Sequence, residues 1–377
     1  MKILHLSTYE HRGGAAQAAY RLHRGLLRSG HNSTIFVLQQ QSHDPYVLKF
    51  EPPRGVLQRL LQRFRHEVLT RGFKRYENSR PDGYELFSND RSIYGRNFVK
   101  QLPQSDVVNL HWVAGFLDYP AFFSSIPQER PVVWTLHDMN PFTGGCHYDH
   151  NCGRYLDSCG FCPQLASNDA RDLSRSVWER KQRAFARVMP DRLHIVTPSR
   201  WLAHEAERST LLGRFPISVI PNSLDTDVFA PREREMARAA LEIPQEATVL
   251  LFVSDWTSNK RKGLTLLAQA LAGLSNLPNV FLVSLGKGKQ DLEVTVPHRH
   301  LGHLENERLL TLVYSAADLF IIPSLQDNLP NTVLESLACG TPVVGFDVGG
   351  IPDMVRPGVT GQLVPVGNVD ALPKAIV

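Results

Sequence analysis

Asp327 and Glu335 stand eight positions apart in the stretch PSLQDNLPNTVLESLACGTPVV, residues 323–344. The apolar run Leu319–Ile322 before it reads as a buried strand. Pro330 fits a first helical position. Val333, Leu334 and Leu337 are the inward positions of a short helix that Gly340 stops. A second strand at residues 343–346 then runs into Gly349-Gly350. Loops at the carboxyl ends of parallel strands are where open α/β sheets bind ligands. Helix N-termini present backbone N–H groups to hydroxyls or phosphate. One carboxylate could therefore reach the reacting end of a ligand while the other holds a distal hydroxyl pair. The plainer reading makes Asp327 a helix-start acid and Glu335 a solvated helical one.

Other residues could share that chemistry. Lys260, Arg261 and Lys262 precede Gly263, and cations beside a helix start can neutralise a diphosphate leaving group; a solvated basic turn is the alternative. Gly13 and Gly14 follow a strand at residues 3–7 and open a helix over residues 15–27, where glycine lets backbone approach an anion. The stretch is GGAAQ, not G-x-G-x-x-G, so it predicts no dinucleotide. Gly286 lies in a Gly286-Lys287-Gly288 loop after a strand at residues 280–285. His111 and His137 each end a strand, Val107–Leu110 and residues 132–136. A lone histidine there is otherwise a hydrogen-bonded loop residue.

Cys146, Cys152, Cys159 and Cys162 cluster in an insertion at residues 139–165, with His147 and His150 among them. Cys159-Gly160-Phe161-Cys162 is a C-x-x-C knuckle of the kind that binds zinc. The first pair is spaced more widely than a zinc ribbon requires. Zinc here would be structural, since four thiolates leave no open position; the alternative is reduced, partly buried thiols. Residues 52–76 form a different element. Leu57, Leu60, Leu61, Phe64 and Val68 fall at helical spacing, surrounded by Arg54, Arg59, Arg63, Arg65, Arg71, Lys74 and Arg75. A basic amphipathic helix can lie on an anionic membrane, or pack its stripe into a core.

These elements sit in a chain of 377 residues, for which two domains are the prior. Hydrophobic content of 42% and charged content of 21% describe a globular protein, and a net charge of +4 does not suggest a nucleic-acid partner. No apolar run is long enough to span a bilayer. The chain opens directly on a strand, without a signal peptide, and five cysteines do not form a secreted disulfide pattern, so the cytoplasm is the expected location. Residues 371–377 read as the start of a helix, which suggests truncation.

The context around Asp327 and Glu335 resembles the retaining GT-B glycosyltransferases of family 4, whose E-x7-E motif falls on these two positions. Asp327 departs from the motif by one methylene and keeps its charge. The stretch TLHDMNPFTGGCHY, residues 135–148, resembles a subgroup of that family. His137 matches the family's active-site histidine, and Lys262 its lysine. The family's arginine precedes that lysine by several residues, where this chain has Asp255-Trp256, so its role would fall to Arg261. Asp225-Thr226-Asp227 resembles the family's interdomain segment, not the D-x-D metal motif of GT-A enzymes.

The resemblance implies two doubly wound, Rossmann-like α/β domains facing across a cleft. Residues 1–222 would form the acceptor side and residues 223–377 the nucleotide-sugar side. It implies retaining transfer from a nucleotide-diphosphate sugar to a glycan or lipid-linked glycan, in surface or exopolysaccharide biosynthesis, with no cofactor needed for catalysis. Asp327 and His137 would orient the donor sugar, and Glu335 would hold the ribose hydroxyls. Arg261 and Lys262 would stabilise the departing diphosphate. Gly13, Gly14, Gly286, Asn328 and Leu329 would border the donor, and His111 would contact the acceptor. Residues 52–76 would hold the enzyme at the inner face of an anionic membrane. A GT-B nucleotide-sugar epimerase and a non-catalytic nucleotide-sugar-binding protein are the alternatives.

Overall fold

The computed structural model describes residues 1–256, 259–274, 277–287 and 294–377. The chain divides into two compact units, Met1–Ser223 and Leu224–Val377. In the first, seven parallel strands run β1 (Lys2–Tyr9), β2 (Asn32–Gln39), β3 (Val47–Lys49), β4 (Val107–Leu110), β5 (Val132–Thr135), β6 (Leu193–Thr197) and β7 (Ile217–Val219), in spatial order β3-β2-β1-β4-β5-β6-β7. The winding reverses between β1 and β4, which marks a topological switch point. Strands of this kind are covered on both faces, so they read as short apolar runs. Leu4, Leu6, Val108, Leu110, Val132 and Trp134 are all buried.

The helices of this unit are α1 (Gly14–Arg28), α2 (Val56–Lys74), α3 (Tyr119–Ser125), α4 (Leu173–Phe185) and α5 (Arg200–Arg208). Ala16, Ala18 and Ala19 are the buried small residues of α1. Trp134 packs among Tyr119, Phe123 and Phe185, and its indole N–H donates to the His111 carbonyl at 3.2 Å. That bond ties the loop after β4 to the core.

In the second unit α6 (Arg234–Ala240) precedes six parallel strands and four further helices: β8 (Thr248–Trp256), α7 (Leu264–Ala272), β9 (Val280–Lys287), β10 (His298–His300), α8 (Glu307–Ala316), β11 (Leu319–Ile322), α9 (Asn331–Ala338), β12 (Val343–Asp347), β13 (Gly361–Pro365) and α10 (Ala371–Ile376). The strand order is β10-β9-β8-β11-β12-β13, again with the reversal at the first strand. Each unit is thus a Rossmann-like α/β domain.

Two local expectations are corrected. Pro330 is the residue before α9, at φ −64° and ψ 121°, so it caps the helix in extended conformation and does not open it. Gly286 lies inside β9, where its N–H donates to the Gly302 carbonyl at 2.9 Å. The hydrogen-bonded strand runs further than its apolar run suggests. Gly288 lies outside the described residues.

Candidate functional site

Taking the second unit first, the loops after β8 and β11 meet at its switch point. Lys260–Lys262 forms one 3-10 turn, started by the Asn259 side chain, which accepts from the Arg261 N–H at 3.0 Å. The next residue is Gly263, at φ 72°; a Cβ there would lie 1.8 Å from the Pro323 carbonyl oxygen. Across from it the Leu325 N–H donates to the Arg261 carbonyl at 2.8 Å. Gly349 has the same role after β12: at φ 60° its Cβ would lie 1.8 Å from the Asp327 carbonyl oxygen, and Gly350 N–H donates to that oxygen at 3.0 Å. Only glycine permits such close backbone approach.

These loops hold Asp327 in place. Its carboxylate accepts from Lys262 Nζ at 2.6 Å and from Ser324 Oγ at 3.2 Å, and Arg261 Nη1 stands 3.3 Å away. Arg261 also donates to the Gln326 carbonyl at 2.5 Å. Burial alone would raise the Asp327 pKa, but Lys262 and Arg261 outweigh it and hold the carboxyl below its ordinary value. Two cations face the Asp327 carboxylate. Glu335, on α9, accepts from the Tyr314 hydroxyl at 2.9 Å. Asp327, Asn328, Leu329 and Glu335 are all buried. Asp327 is therefore not a helix-start acid, and Glu335 is not a solvated one.

In the first unit the site residues follow β1, β4 and β5. Gly13 is the N-cap of α1 at φ 85°, without a side-chain cap, and Gly14 is its first residue. No atom lies within 4 Å of a Cβ built on Gly13, so the positive φ and not crowding calls for glycine there. His137 is partly exposed, and His111 is buried. His111 Nδ1 lies 3.0 Å from His137 Nε2, and His111 Nε2 lies 2.9 Å from Nδ1 of His5 on β1. His111 is thus buried against other histidines. Burial lowers the pKa of His5 to about 3 and of His137 to about 4.

Beside this row, Asp138 accepts from Trp112 Nε1 at 2.9 Å and from the Asn140 N–H at 2.9 Å, and lies 2.6 Å from His147 Nδ1. Burial opposes the Asp138 charge, yet His147 and these bonds hold its pKa below the ordinary value. His147 Nε2 reaches Ser88 Oγ at 2.7 Å, and His150 Nε2 reaches Glu85 at 3.1 Å. His5, Asp138 and Tyr314 carry no motif of their own in the sequence. A histidine inside the apolar run KILHLS was the one available signal among them.

Cys146, Cys152, Cys159 and Cys162 all line one cavity of about 20 Å³, together with Asp149 and Phe87. All four are free thiols. Among the described residues, no three His, Cys, Asp or Glu side chains stand in a metal-holding arrangement.

Residues 12–228 match the model of Glycosyltransferase Family 4, more than half the chain, and residues 247–377 match that of Glycosyl transferases group 1. The chain belongs to glycosyltransferase family 4. It is 35% identical over 167 residues to the D-inositol 3-phosphate glycosyltransferase of Mycobacterium leprae (strain Br4923), a match covering 41% of this chain and 38% of that one. The Mycobacterium avium (strain 104) protein of the same name is 34% identical over 168 residues, covering 41% and 38%. The match thus spans well under half the length of these curated relatives. Among solved structures, sucrose-phosphate synthase from Thermosynechococcus elongatus superposes with a TM-score of 0.63 at 19% identity, covering 100% of this chain and 89% of that one. Anabaena HepE with UDP and glucose gives 0.63 at 19%, with the same coverage. WaaG, a glycosyltransferase of lipopolysaccharide biosynthesis, gives 0.57 at 16%, covering 99% and 90%. At these identities the likeness establishes the fold, which is GT-B.

The Asp327 cluster has a pH signature. Its folded pKa is depressed, so its stabilisation is complete above the unfolded value and is lost as pH falls through the folded one. Asp327→Asn removes the carboxylate that accepts from Lys262 and stands 3.3 Å from Arg261, which costs up to about 3–5 kcal/mol at pH 7. Urea unfolding should show the variant weaker at pH 7 and closer to the wild type at pH 3. An equal deficit at both values would mean that the carboxylate charge is not what holds these loops.

Proposed function

We propose that this chain is a retaining glycosyltransferase, moving a sugar from a nucleotide-diphosphate donor to a hydroxyl of a glycan or lipid-linked glycan during assembly of a surface polysaccharide. The observation that carries the reading is the cluster of buried Asp327 and Arg261 with half-buried Lys262, with Glu335 on the next helix, at the switch point of a Rossmann-like sheet in a family 4 chain. In the proposed reaction the bond from the anomeric carbon to the diphosphate breaks. The bond to the acceptor oxygen forms on the same face, and the acceptor proton passes to the departing phosphate. Lys262 and Arg261 supply positive charge where the leaving group gathers negative charge. Asp327 and His137 orient the donor sugar, backbone groups at Gly13, Gly14, Asn328 and Leu329 border it, and Glu335 holds the ribose hydroxyls. No cofactor enters these steps.

Donor hydrolysis and transfer over a panel of UDP- and GDP-sugars tests the reading. Glu335→Ala should weaken nucleoside-diphosphate binding roughly ten- to hundredfold in calorimetry, the value of a lost charged hydrogen bond. Unchanged affinity would remove Glu335 from the ribose. Interconversion of the donor without an acceptor, or binding without turnover, would overturn the transferase reading.

A membrane-held acceptor is part of the proposal. The sequence pattern permitted α2 to pack into a core; none of its residues is buried, although Phe73 packs against a small apolar cluster. Val56, Leu57 and Phe64 are 77%, 71% and 68% exposed. Arg59, Arg63, Arg65, Arg71 and Lys74 share the helix with a single acid, Glu67. An anionic lipid surface complements both the charge and the bare apolar stripe. No described helix is long and apolar enough to cross a membrane. Replacing Arg59, Arg63 and Arg65 by Glu should abolish flotation with phosphatidylserine vesicles at low salt, at about 1 kcal/mol per basic contact. Equal flotation of both proteins, or a dimer formed through α2, would remove the lipid.

The cysteine cavity is proposed as a structural zinc site. Backbone N–H groups of Gln164 and Leu165 already aim at Cys162, and that of Gly144 at Cys159, as they do for ligating thiolates. Zinc would draw the four thiols into the cavity they line. Protein purified without chelators should carry about one zinc per chain, as a four-ligand site requires. Metal-free protein with four titratable thiols would leave them as plain cysteines.

A further inference from the structure

Three histidines from adjacent strands form one hydrogen-bonded row. His5 belongs to β1, His111 follows β4 and His137 follows β5, and these three strands are neighbours in the sheet. The register pairs His5 with Asn109 and Leu110 with Trp134, so His111 stands two positions beyond the level of His5 and His137 two beyond that of His111, and the row crosses the sheet diagonally. The backbone around it is fixed: the His111 N–H donates to Leu6 at 2.9 Å, and its carbonyl takes the Trp134 indole proton.

The rings are neutral, since burial pushes all three below the ordinary histidine range. A neutral imidazole has one donor nitrogen and one acceptor nitrogen. Each ring-to-ring bond therefore needs a donor on one side and an acceptor on the other. His111 takes part in both bonds, so choosing its proton position fixes its neighbours. Only two arrangements satisfy both bonds. Either every ring carries its proton on Nδ1, or every ring carries it on Nε2.

Nε2 of His5 decides between them. It is buried and has no hydrogen-bond partner among the described residues. The all-Nε2 arrangement would bury an orphaned N–H there, a rarity in folded proteins. The all-Nδ1 arrangement places a bare ring nitrogen at that point. The Asn109 amide nitrogen lies 3.5 Å from His5 Nδ1, too far for a firm bond that would oppose this choice. Its amide oxygen accepts from Thr135 Oγ1 at 3.0 Å.

We propose that His5 and His111 are positioning residues that hold His137 as the Nδ1–H tautomer, with its Nε2 tied back into the sheet. In that tautomer Nδ1 of His137 is a donor and not an acceptor. The value of this to the donor sugar rests on the function proposed above; the tautomer itself does not.

Protein labelled with 15N-histidine tests both parts. Two-bond nitrogen–proton correlation spectra of the wild type should show three neutral Nδ1–H rings, assigned by their loss in single variants. Nε2–H on these rings overturns the proposal whatever the enzyme does. In the kinetic arm, His111→Phe should lower kcat on the order of 10-fold, the usual effect of losing a partner that orients a functional histidine, with KM little changed. His111→Gln, whose amide can still donate to His137 Nε2, should recover most of it. The Phe variant should also gain an ionisation in its kcat–pH profile that the Gln variant lacks. Equal losses in both variants with one pH profile would reduce the row to a packing role. A wild type that turns over no sugar donor would sink the function and leave the spectra to judge the tautomer.

Discussion

Parallel strands end in loops whose polar side chains are half inside the protein, and desolvation there must be offset residue by residue. This molecule does so in two ways. In the second unit a buried carboxylate keeps its charge because two cations and a hydroxyl surround it. In the first unit three imidazoles give up charge and satisfy one another ring to ring. The glycines follow from the first solution: Gly263 and Gly349 exist where backbone must come within van der Waals range of Pro323 and Asp327 to bring those groups together. The apolar core sets the height of the strand ends, and the polar groups above it settle which loops can be there.

Much of the sheet was legible in the sequence because doubly covered strands are short apolar runs. Val107–Leu110 and Leu319–Ile322 could be read residue for residue. The three-residue edge strands β3 and β10 carry no such run, since an edge has less to bury. At the site, Asp327, Glu335, Lys262 and His137 were legible through motif context. The His5–His111–His137 row was not, because its members lie far apart in the chain and only strand order makes them neighbours. Nor does periodicity report what lies opposite an amphipathic stripe. Leu57 and Phe64 have the spacing of core residues, yet both are exposed among the described residues.

The cysteine segment links two features that sequence presents as separate. Cys162 and Leu165 share a small apolar cluster with Tyr76 and Phe87, against which Phe73 and Cys146 also pack. Phe73 is in the last turn of α2 and meets Phe87 edge to face at 5.5 Å. The Tyr76 hydroxyl accepts from the Leu173 N–H at 3.3 Å. The exposed helix is thus moored at its C-terminal end to the cysteine loops. Those loops are themselves costly. His150, Asn151, Cys159, Phe161 and Ala166 all have positive φ, at roughly 1–2 kcal/mol for each non-glycine residue. Such backbone persists only when its surroundings over-determine it, and a shared ligand for four thiols would be one way of doing so.

The charged and the neutral solutions also differ in what they can do to a ligand. A cation pair around one carboxylate acts through net charge, and its pull on an anion strengthens as water leaves. It has little directional preference beyond the fork of Arg261. A chain of neutral imidazoles carries no net charge and contributes almost nothing to the capture of an anion. What it supplies is direction, because a proton fixed on one nitrogen distinguishes a partner that accepts from one that donates. The second unit thus holds charge and the first unit direction, with Asp327 ionised and His137 neutral in one chain.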